Sequence, residues 1–196
     1  MMSPTRNGAG HAGVVWADGD TSKVSLYQGT QLLGETANDG IFSVDGLPTE
    51  RLPYRLVVEG NRNLPGRPYS TRTRTDWGYT SGTTDYTVLS PLPLIQLDYA
   101  VATDLSGRAG RRSAVSVTPS HLKGVTEGGT IRTVTLDISY DDGATWHRTT
   151  SRHKGAAWTA SLNAPPKARF ASLRTTAKDA KGNTVSQTVI RAFGLK

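Results

Sequence analysis

The sequence predicts an all-β protein made of two β-sandwich domains. Short segments of alternating apolar residues recur along the chain, turn-forming residues separate them, and no segment of helical length repeats its apolar residues every 3.6 positions. Gly contributes 21 and Pro 10 of the 196 residues, which supplies many turns. No run of 18 apolar residues occurs, so the sequence predicts neither a membrane span nor a membrane partner.

The first half of the chain carries five predicted strands after a polar N-terminal segment. We expect residues 1–12 to be flexible and residues 13–92 to form a small sandwich of the prealbumin or carboxypeptidase-regulatory type. The predicted strands cover residues 24–27, 31–34, 41–44, 54–58 and 70–77. The last of these is polar on both faces and rich in Thr, so we expect it to be exposed or at a sheet edge.

The second half begins at a stiff Pro-Leu-Pro segment and carries further alternating strands. We place the boundary there and expect residues 93–196 to form an immunoglobulin-like or fibronectin III-like sandwich of about seven strands. One of these strands covers residues 113–118 and is expected to end at Pro119. Residues 1–95 carry a net charge of −1 and residues 96–196 a net charge of +8, which also favours two units.

A hairpin motif follows one of the predicted strands of the second half. Residues 139–146, SYDDGATW, fit the pattern S-x-D-x-G-x-T-W and resemble the Asp-box, which is repeated in sialidase propellers. A propeller needs about four or more blades of four strands, so one motif predicts a structural hairpin, with a sugar contact as the alternative. We expect Asp141 to accept backbone N–H bonds, Gly143 to take a positive φ, and Asp142 to face water. The structural residues of the hairpin are Ser139, Asp141, Gly143 and Trp146.

The sequence offers no catalytic or metal-binding motif. It contains no Cys, which excludes disulfides, thiolate nucleophiles and thiolate metal sites. Neither G-x-S-x-G nor any metal spacing of His occurs. We therefore expect no catalytic residue, no metal and no cofactor; a metal site between His147 and His153 is the weaker alternative to a surface pair. The four histidines are His11, His121, His147 and His153.

The basic second half predicts attraction to polyanions such as an anionic cell-wall polymer. A solvated basic face is the alternative. No aromatic residue is interleaved with the first of its two clusters, so we expect no specific nucleic-acid partner. The two clusters are Arg108, Arg111 and Arg112, and Arg148, Arg152 and Lys154.

The exposure of the four tryptophan rings would distinguish between two kinds of function. Rings on one exposed face would favour carbohydrate binding, because aromatic rings offer large flat contact surfaces, whereas buried rings would favour a scaffold. The residues concerned are Trp16, Trp77, Trp146 and Trp158.

Several segments follow one another in a characteristic order: LYQGTQLLGETANDGIFSVDGLP, PYRLVVEGNRN, TRTRTDWGYTS, PLPLIQLDYAV, LDISYDDGATWHR and SLRTTAKDAKGNTVSQTVIRAFGL. This order resembles the C-terminal accessory region of secreted actinobacterial subtilisin-family serine peptidases, over about Val14 to Lys196. The His-Gly-Thr-His and Gly-Thr-Ser-Met-Ala segments of the catalytic domain of that family are absent, so no triad residue carries over.

The resemblance implies a non-catalytic, extracellular β-sandwich region that is part of a longer precursor. Its expected role is to stabilise or position the catalytic domain of a subtilisin-like serine endopeptidase, which would be its partner in cis. A carbohydrate- or cell-wall-binding module is the alternative.

Overall fold

The computed structural model describes residues 5–6, 12–13, 19–38, 42–63, 65–82 and 91–196. Within these ranges the chain forms strands, turns and irregular segments and contains no helix, which confirms the all-β prediction. The described residues accordingly include no helix that is long and apolar enough to span a membrane.

The described residues of the first half contribute six strands, all paired antiparallel. They are β1 (Thr5–Arg6), β2 (Ala12–Gly13), β3 (Thr21–Gln28), β4 (Gln31–Ala37), β5 (Leu52–Asn61) and β6 (Arg72–Ser81). β1 pairs only with β2, whereas β3 to β6 belong to the large sheet of the protein. The strand predicted over 41–44 is wrong for residues 42–44, which are irregular. These residues cover Gly34 of β4, where an added Cβ would lie 2.8 Å from the Phe42 ring.

The second half contributes nine strands. They are β7 (Ile95–Val101), β8 (Arg108–Ala109), β9 (Arg112–His121), β10 (Ile131–Ser139), β11 (His147–Arg148), β12 (Ser151–Lys154), β13 (Ala157–Asn163), β14 (Phe170–Asp179) and β15 (Thr184–Leu195). β9 continues through Pro119, contrary to the prediction that it ends there. Pro119 pairs with Leu97 of β7, but β13 has already ended beside Val117, so the missing N–H lies where β9 has a neighbour on one side only.

Two sheets pack face to face as a sandwich. The larger sheet has nine strands in the order β11-β10-β14-β15-β6-β5-β3-β4, with β8 added parallel to β15. The smaller sheet has the order β12-β13-β9-β7. Val115 and Val117 of the small sheet and Leu136 and Leu173 of the large sheet are almost fully buried and belong to one apolar cluster. The alternation seen in the sequence therefore places one face of each sheet in this core.

The large sheet crosses the predicted domain boundary, because β6 pairs with β15. The register joins residues 72–78 of β6 to residues 184–190 of β15. The prediction of an exposed or edge strand over 70–77 is therefore wrong, since β6 lies between β5 and β15. Its core-facing residues begin at Thr75 and continue with Trp77 and Tyr79, beyond the polar stretch that suggested exposure.

Trp77 provides a second link across the boundary. Its indole N–H donates to the backbone carbonyl of Ile95 at 2.7 Å, and both residues are buried in the same apolar cluster. The strands on the two sides of residues 92–93 thus share a sheet and a core. The division into domains 13–92 and 93–196 stays a prediction, as does the flexibility of residues 1–12, most of which lie outside the described ranges.

Replacing Trp77 with Phe tests this link. The substitution keeps an aromatic ring in the core but leaves the Ile95 carbonyl without its indole donor, so we expect a loss of about 1–3 kcal/mol in the free energy of unfolding. Trp158→Phe is the control, because Trp158 is half-buried and its indole N–H donates no hydrogen bond among the described residues. Urea unfolding measures both variants, and equal losses would contradict a special role for the Trp77 bond.

Candidate functional site

The hairpin between β10 and β11 is built around the carboxylate of Asp141. Its Oδ1 accepts hydrogen bonds from the Ser139 hydroxyl at 2.7 Å and from the Thr145 backbone N–H at 2.9 Å. Its Oδ2 accepts the Thr145 hydroxyl at 2.6 Å. The Ser139 oxygen accepts the Gly143 backbone N–H at 2.8 Å, and Ser139 is fully buried. The polar groups of the motif therefore bond mainly to one another.

Gly143 and Trp146 complete the hairpin by close packing. Gly143 has a φ of 89°, which favours glycine, and an added Cβ would lie 2.8 Å from Ile190 Cδ1 and 3.3 Å from the Trp146 ring. The guanidinium carbon of Arg174 lies 4.7 Å from the centre of the Trp146 ring. One face of this ring is thus covered by a cation of the protein itself.

Asp142 is engaged in an ion pair that the sequence did not suggest, while its side chain stays 41% exposed, in line with the expectation that it faces water. Arg191 of β15 donates to its two carboxylate oxygens at 2.9 and 2.6 Å. The hydrogen bond from Arg191 lowers the pKa of Asp142. Arg191 itself has a positive φ of 55°, and its backbone N–H donates to the Ser172 hydroxyl at 3.0 Å. The motif leaves its fourth position variable, and only the long-range approach of β15 gives that position a partner.

The outer face of the large sheet carries a row of charged residues beside this hairpin. Reading across the strands from β3 to β11, the register aligns Lys23, Glu59, Arg74, Thr188, Arg174, Asp137 and Arg148. Arg74 forms an ion pair with Glu59, and Lys23 forms another with Glu35 at 2.8 Å. Neighbouring strands thus mostly present opposite charges, which stabilises cross-strand pairs.

Asp137 anchors one end of this row. It is buried, and its carboxylate accepts hydrogen bonds from Arg174 at 3.0 and 3.1 Å and from Arg148. Two guanidinium groups thereby compensate one buried carboxylate. Arg148 was predicted to bind polyanions, and the structure shows it in this ion pair.

A groove of about 670 Å³ lies between the charged row and the hairpin. Its walls include Glu59, Arg74, Asp142, Trp146 and Arg174. The charged side chains among them are engaged in the ion pairs and the cation–π contact described above. Sequence reasoning could not find this groove, because only the strand register brings its residues together.

The members of the predicted basic clusters are divided between the two sheets and a turn. Arg111 donates to the backbone carbonyls of Pro165 and Ala168 at 2.5 and 3.1 Å, so it holds a turn. Arg108 lies on β8 of the large sheet, and Arg112 lies on β9 of the small one. In the second cluster Arg148 belongs to the large sheet, whereas Arg152 and Lys154 are exposed on β12 of the small sheet.

The described tryptophans occupy different parts of the molecule. Trp77 is buried in the core, Trp146 packs in the hairpin, and Trp158 stacks on His153 with ring centres 4.0 Å apart. Trp16 lies outside the described residues. The three described rings therefore do not form one exposed aromatic face.

One histidine contacts a carboxylate in a way that the sequence did not suggest. His121 Nε2 lies 3.1 Å from Asp179 Oδ2 and 3.2 Å from the Gly129 carbonyl oxygen. His121 Nδ1 is buried without a hydrogen-bond partner among the described residues. No hydroxyl group of these residues therefore bonds to this ring nitrogen. His147 is exposed, and no contact between it and His153 appears among the described residues.

Asp179 organises the loop that packs on His121. It accepts the backbone N–H groups of Gly129, Lys181 and Asn183 at 2.7–2.9 Å and also the Asn183 side-chain amide at 2.7 Å. Burial by itself raises the pKa of Asp179, but these hydrogen bonds together outweigh burial and lower it. The turn Asp179-Ala-Lys-Gly-Asn183 was visible in the sequence, whereas its contacts with His121 and Gly129 depend on the fold.

A metal site has no support among the described residues. They contain no group of three or more His, Asp or Glu side chains arranged to hold a metal ion. This observation leaves the expectation of no metal and no cofactor as a prediction.

Comparison with known proteins places the chain in no family. No protein-family model matches it, and no curated protein matches it either. The resemblance to subtilisin-family C-terminal regions therefore stays a prediction.

Two glycines with nearly the same φ allow the energetic cost of backbone strain to be separated from the cost of overpacking. Gly143 and Gly182 have φ values of 89° and 90°, but an added Cβ meets Ile190 at Gly143 and nothing within 4 Å at Gly182. We expect Gly182→Ala to cost about 1–2 kcal/mol from the positive φ. Gly143→Ala should cost about 1 kcal/mol more because of overpacking. Urea midpoints that do not differ between the variants would contradict the packing at the hairpin.

The Asp141 carboxylate gives the hairpin a defined acid sensitivity. The Thr145 hydroxyl is the largest cause of a pKa lowered to about 2, followed by the Thr145 backbone N–H and the Ser139 hydroxyl. Because the folded pKa lies below the ordinary value, this stabilisation is complete above about pH 4 and is lost as the pH falls through about 2.

The chemical shift of the Thr145 amide reports this titration directly. We expect a midpoint of about 2 in the native chain. Thr145→Val removes the hydroxyl donor but keeps the backbone N–H, so the midpoint should move upward in that variant. A native midpoint near 4 would show that the hydrogen bonds do not hold the carboxylate in its charged form.

Proposed function

We propose that this chain is a non-catalytic accessory module of a larger secreted protein, of the kind that accompanies a subtilisin-like serine endopeptidase domain. The proposal rests on one observation: the polar side chains of the hairpin and of the Asp179 turn form hydrogen bonds within the chain itself. The carboxylates of Asp141, Asp142 and Asp179 each accept hydrogen bonds that hold the chain's own backbone or side chains. Hydrogen bonds of this kind support loops, which suits a structural module.

The strand order of the second half supports an immunoglobulin-like module. β7, β9, β13 and β12 correspond in order to strands A, B, E and D of a constant-type immunoglobulin domain, and β10, β14 and β15 correspond to C, F and G. Such sandwiches occur in many extracellular proteins. Because one fold hosts many functions, this order supports the architecture and leaves the role to the side chains.

The sheet that the two halves of the chain share supports a positioning role. A module that stabilises or orients a catalytic domain in cis must itself be rigid. The pairing of β6 with β15 and the bond from Trp77 to Ile95 give the two halves a common sheet and core, which suits such a role.

Carbohydrate or cell-wall binding is the second candidate. The polar groove beside Trp146 favours it, because amide, hydroxyl and charged groups line a concave surface there. The covering of the Trp146 ring by Arg174 speaks against ordinary sugar stacking on that face. We therefore place the scaffold role first.

The proposal predicts that the purified chain hydrolyses neither proteins nor glycosides. Incubation with casein and with chromogenic glycosides should give no turnover above buffer, and the chain should not be retarded in gels that contain neutral polysaccharides. Casein or glycoside turnover that persists through a second purification step would contradict the non-catalytic role. Retardation by a polysaccharide would favour the second candidate instead.

The coding sequence that precedes Met1 tests the proposed partner. We expect an in-frame subtilisin-like domain that carries the His-Gly-Thr-His and Gly-Thr-Ser-Met-Ala segments. A stop codon directly upstream, or a catalytic domain of another class, would contradict the assignment to this kind of peptidase.

A further inference from the structure

A second pocket lies where residues 62 and 66–69 of the first half meet Ser106 and Arg108 of the second half. It has a volume of about 710 Å³ and is lined by Arg62, Arg67, Tyr69, Ser106 and Arg108, among others. We propose that this pocket binds an oxyanion, either a phosphate or a sulfate group carried by a larger molecule. We name it the arginine pocket.

The charges of the arginine pocket are largely uncompensated. Among the described residues, neither Arg67 nor Arg108 has a carboxylate oxygen within 4.0 Å, although the ion pairs found there are all 3.8 Å or shorter. The carboxylate nearest to Arg62 is that of Asp20, with Nε to Oδ2 at 3.8 Å. Three guanidinium groups around one cavity repel each other, and a bound anion would remove this repulsion.

Arg62 contributes an unused donor. Its Nε is buried and has no hydrogen-bond partner among the described residues, because 3.8 Å to Asp20 is too long for a hydrogen bond. A buried N–H without a partner is costly, and an anion oxygen is a suitable acceptor. The backbone N–H of Arg62 donates to the Thr71 carbonyl at 2.8 Å, which fixes the residue beside β6.

The side of the pocket formed by residues 104–108 is held rigidly. Asp104 Oδ1 accepts the backbone N–H groups of Ser106 and Arg108, both at 3.0 Å. Gly107 has a φ of 71°, and an added Cβ would lie 2.7 Å from the Tyr69 ring. The Tyr69 hydroxyl donates to the Ser106 carbonyl at 2.5 Å. These contacts fix the segment that carries Arg108 before any ligand arrives.

The one acidic residue of this segment is already neutralised. Asp104 Oδ2 lies 3.3 Å from the Lys196 ammonium group. The backbone N–H of Arg108 is the largest cause of a lowered pKa at Asp104, so its charge is directed at the turn and at Lys196. It therefore does not cancel the positive charge of Arg62, Arg67 and Arg108.

The chemistry of guanidinium groups defines the ligand class. Their planar donors match pairs of oxygens on phosphate, sulfate or carboxylate groups, and phosphate and sulfate present oxygens in several directions to donors from several sides. A single tetrahedral anion is small compared with this volume, so we infer an anion attached to a sugar, a polyol or a polymer. Only Arg108 of the basic clusters predicted from the sequence belongs to the pocket.

The test titrates the full chain with inorganic phosphate and, separately, with dimethyl phosphate at constant ionic strength. Amide chemical shifts of Gly66, Gly107 and Arg108 are followed by NMR. We expect saturable shifts with at least one probe. Binding of dimethyl phosphate indicates a phosphodiester source, whereas binding of inorganic phosphate alone indicates a terminal phosphate or sulfate group.

Matched variants distinguish the pocket from general charge attraction. Arg67→Gln with Arg108→Gln removes two charges from the pocket and should weaken binding at least about tenfold. Arg132→Gln with Lys178→Gln removes the same charge from exposed sites on β10 and β14, outside the pocket and both predicted clusters, and should leave binding unchanged. Circular dichroism without phosphate confirms that both variants are folded. Absence of saturable shifts with both probes, or equal weakening in the two variants, would overturn the proposal.

Discussion

The antiparallel pairing of β6 with β15 joins the strands of the two halves of the chain into one sheet. β15 is bonded to β14 on one side and to β6 on the other, and β8 adds to its C-terminal end. Without this pairing the four-stranded group of β3 to β6 would have no connection to the sheet of the second half. The indole bond from Trp77 to the Ile95 carbonyl reinforces the joint from inside the core.

The same strand assembles both surface sites. Arg191 of β15 holds Asp142 of the hairpin, and Ile190 packs where a Cβ of Gly143 would lie. The backbone carbonyl of Arg191 accepts the N–H of Ser70, which places Tyr69 against Gly107 and Gly194. The groove beside the hairpin and the arginine pocket therefore both require the two halves to be in register.

Much of the strand content was predictable from local alternation, because a strand half-buried in a sandwich needs an apolar residue at every second position. The hairpin turn was predictable for the same local reason: its donors and acceptors lie within seven residues of one another. The sequence was misleading where pairing between distant parts of the chain determines the surroundings of a residue. Thr-rich β6 looked exposed, but β15 covers its edge. The ion pair of Asp142 was missed because its partner, Arg191, lies 49 positions further along the chain.

The surface sites show the same limit. Arg108 and Arg148 were singled out by local charge density, yet one lines a pocket with Arg62 and Arg67 and the other pairs with Asp137. Arg62 and Arg67 sit in a half of the chain whose net charge is −1, so composition gave no signal for them. Spacing along the chain cannot reveal a site formed by loops that meet only after the strands of the two halves have paired.

Native-state hydrogen exchange of the β6 and β15 amides tests most directly whether this pairing makes the chain one cooperative unit. We expect amides of β6, β15 and β14 to exchange with one common free energy, equal to the free energy of global unfolding measured in denaturant. Exchange of β6 amides through an opening of much lower free energy, while β14 stays protected, would contradict it and would show that residues 13–92 unfold separately.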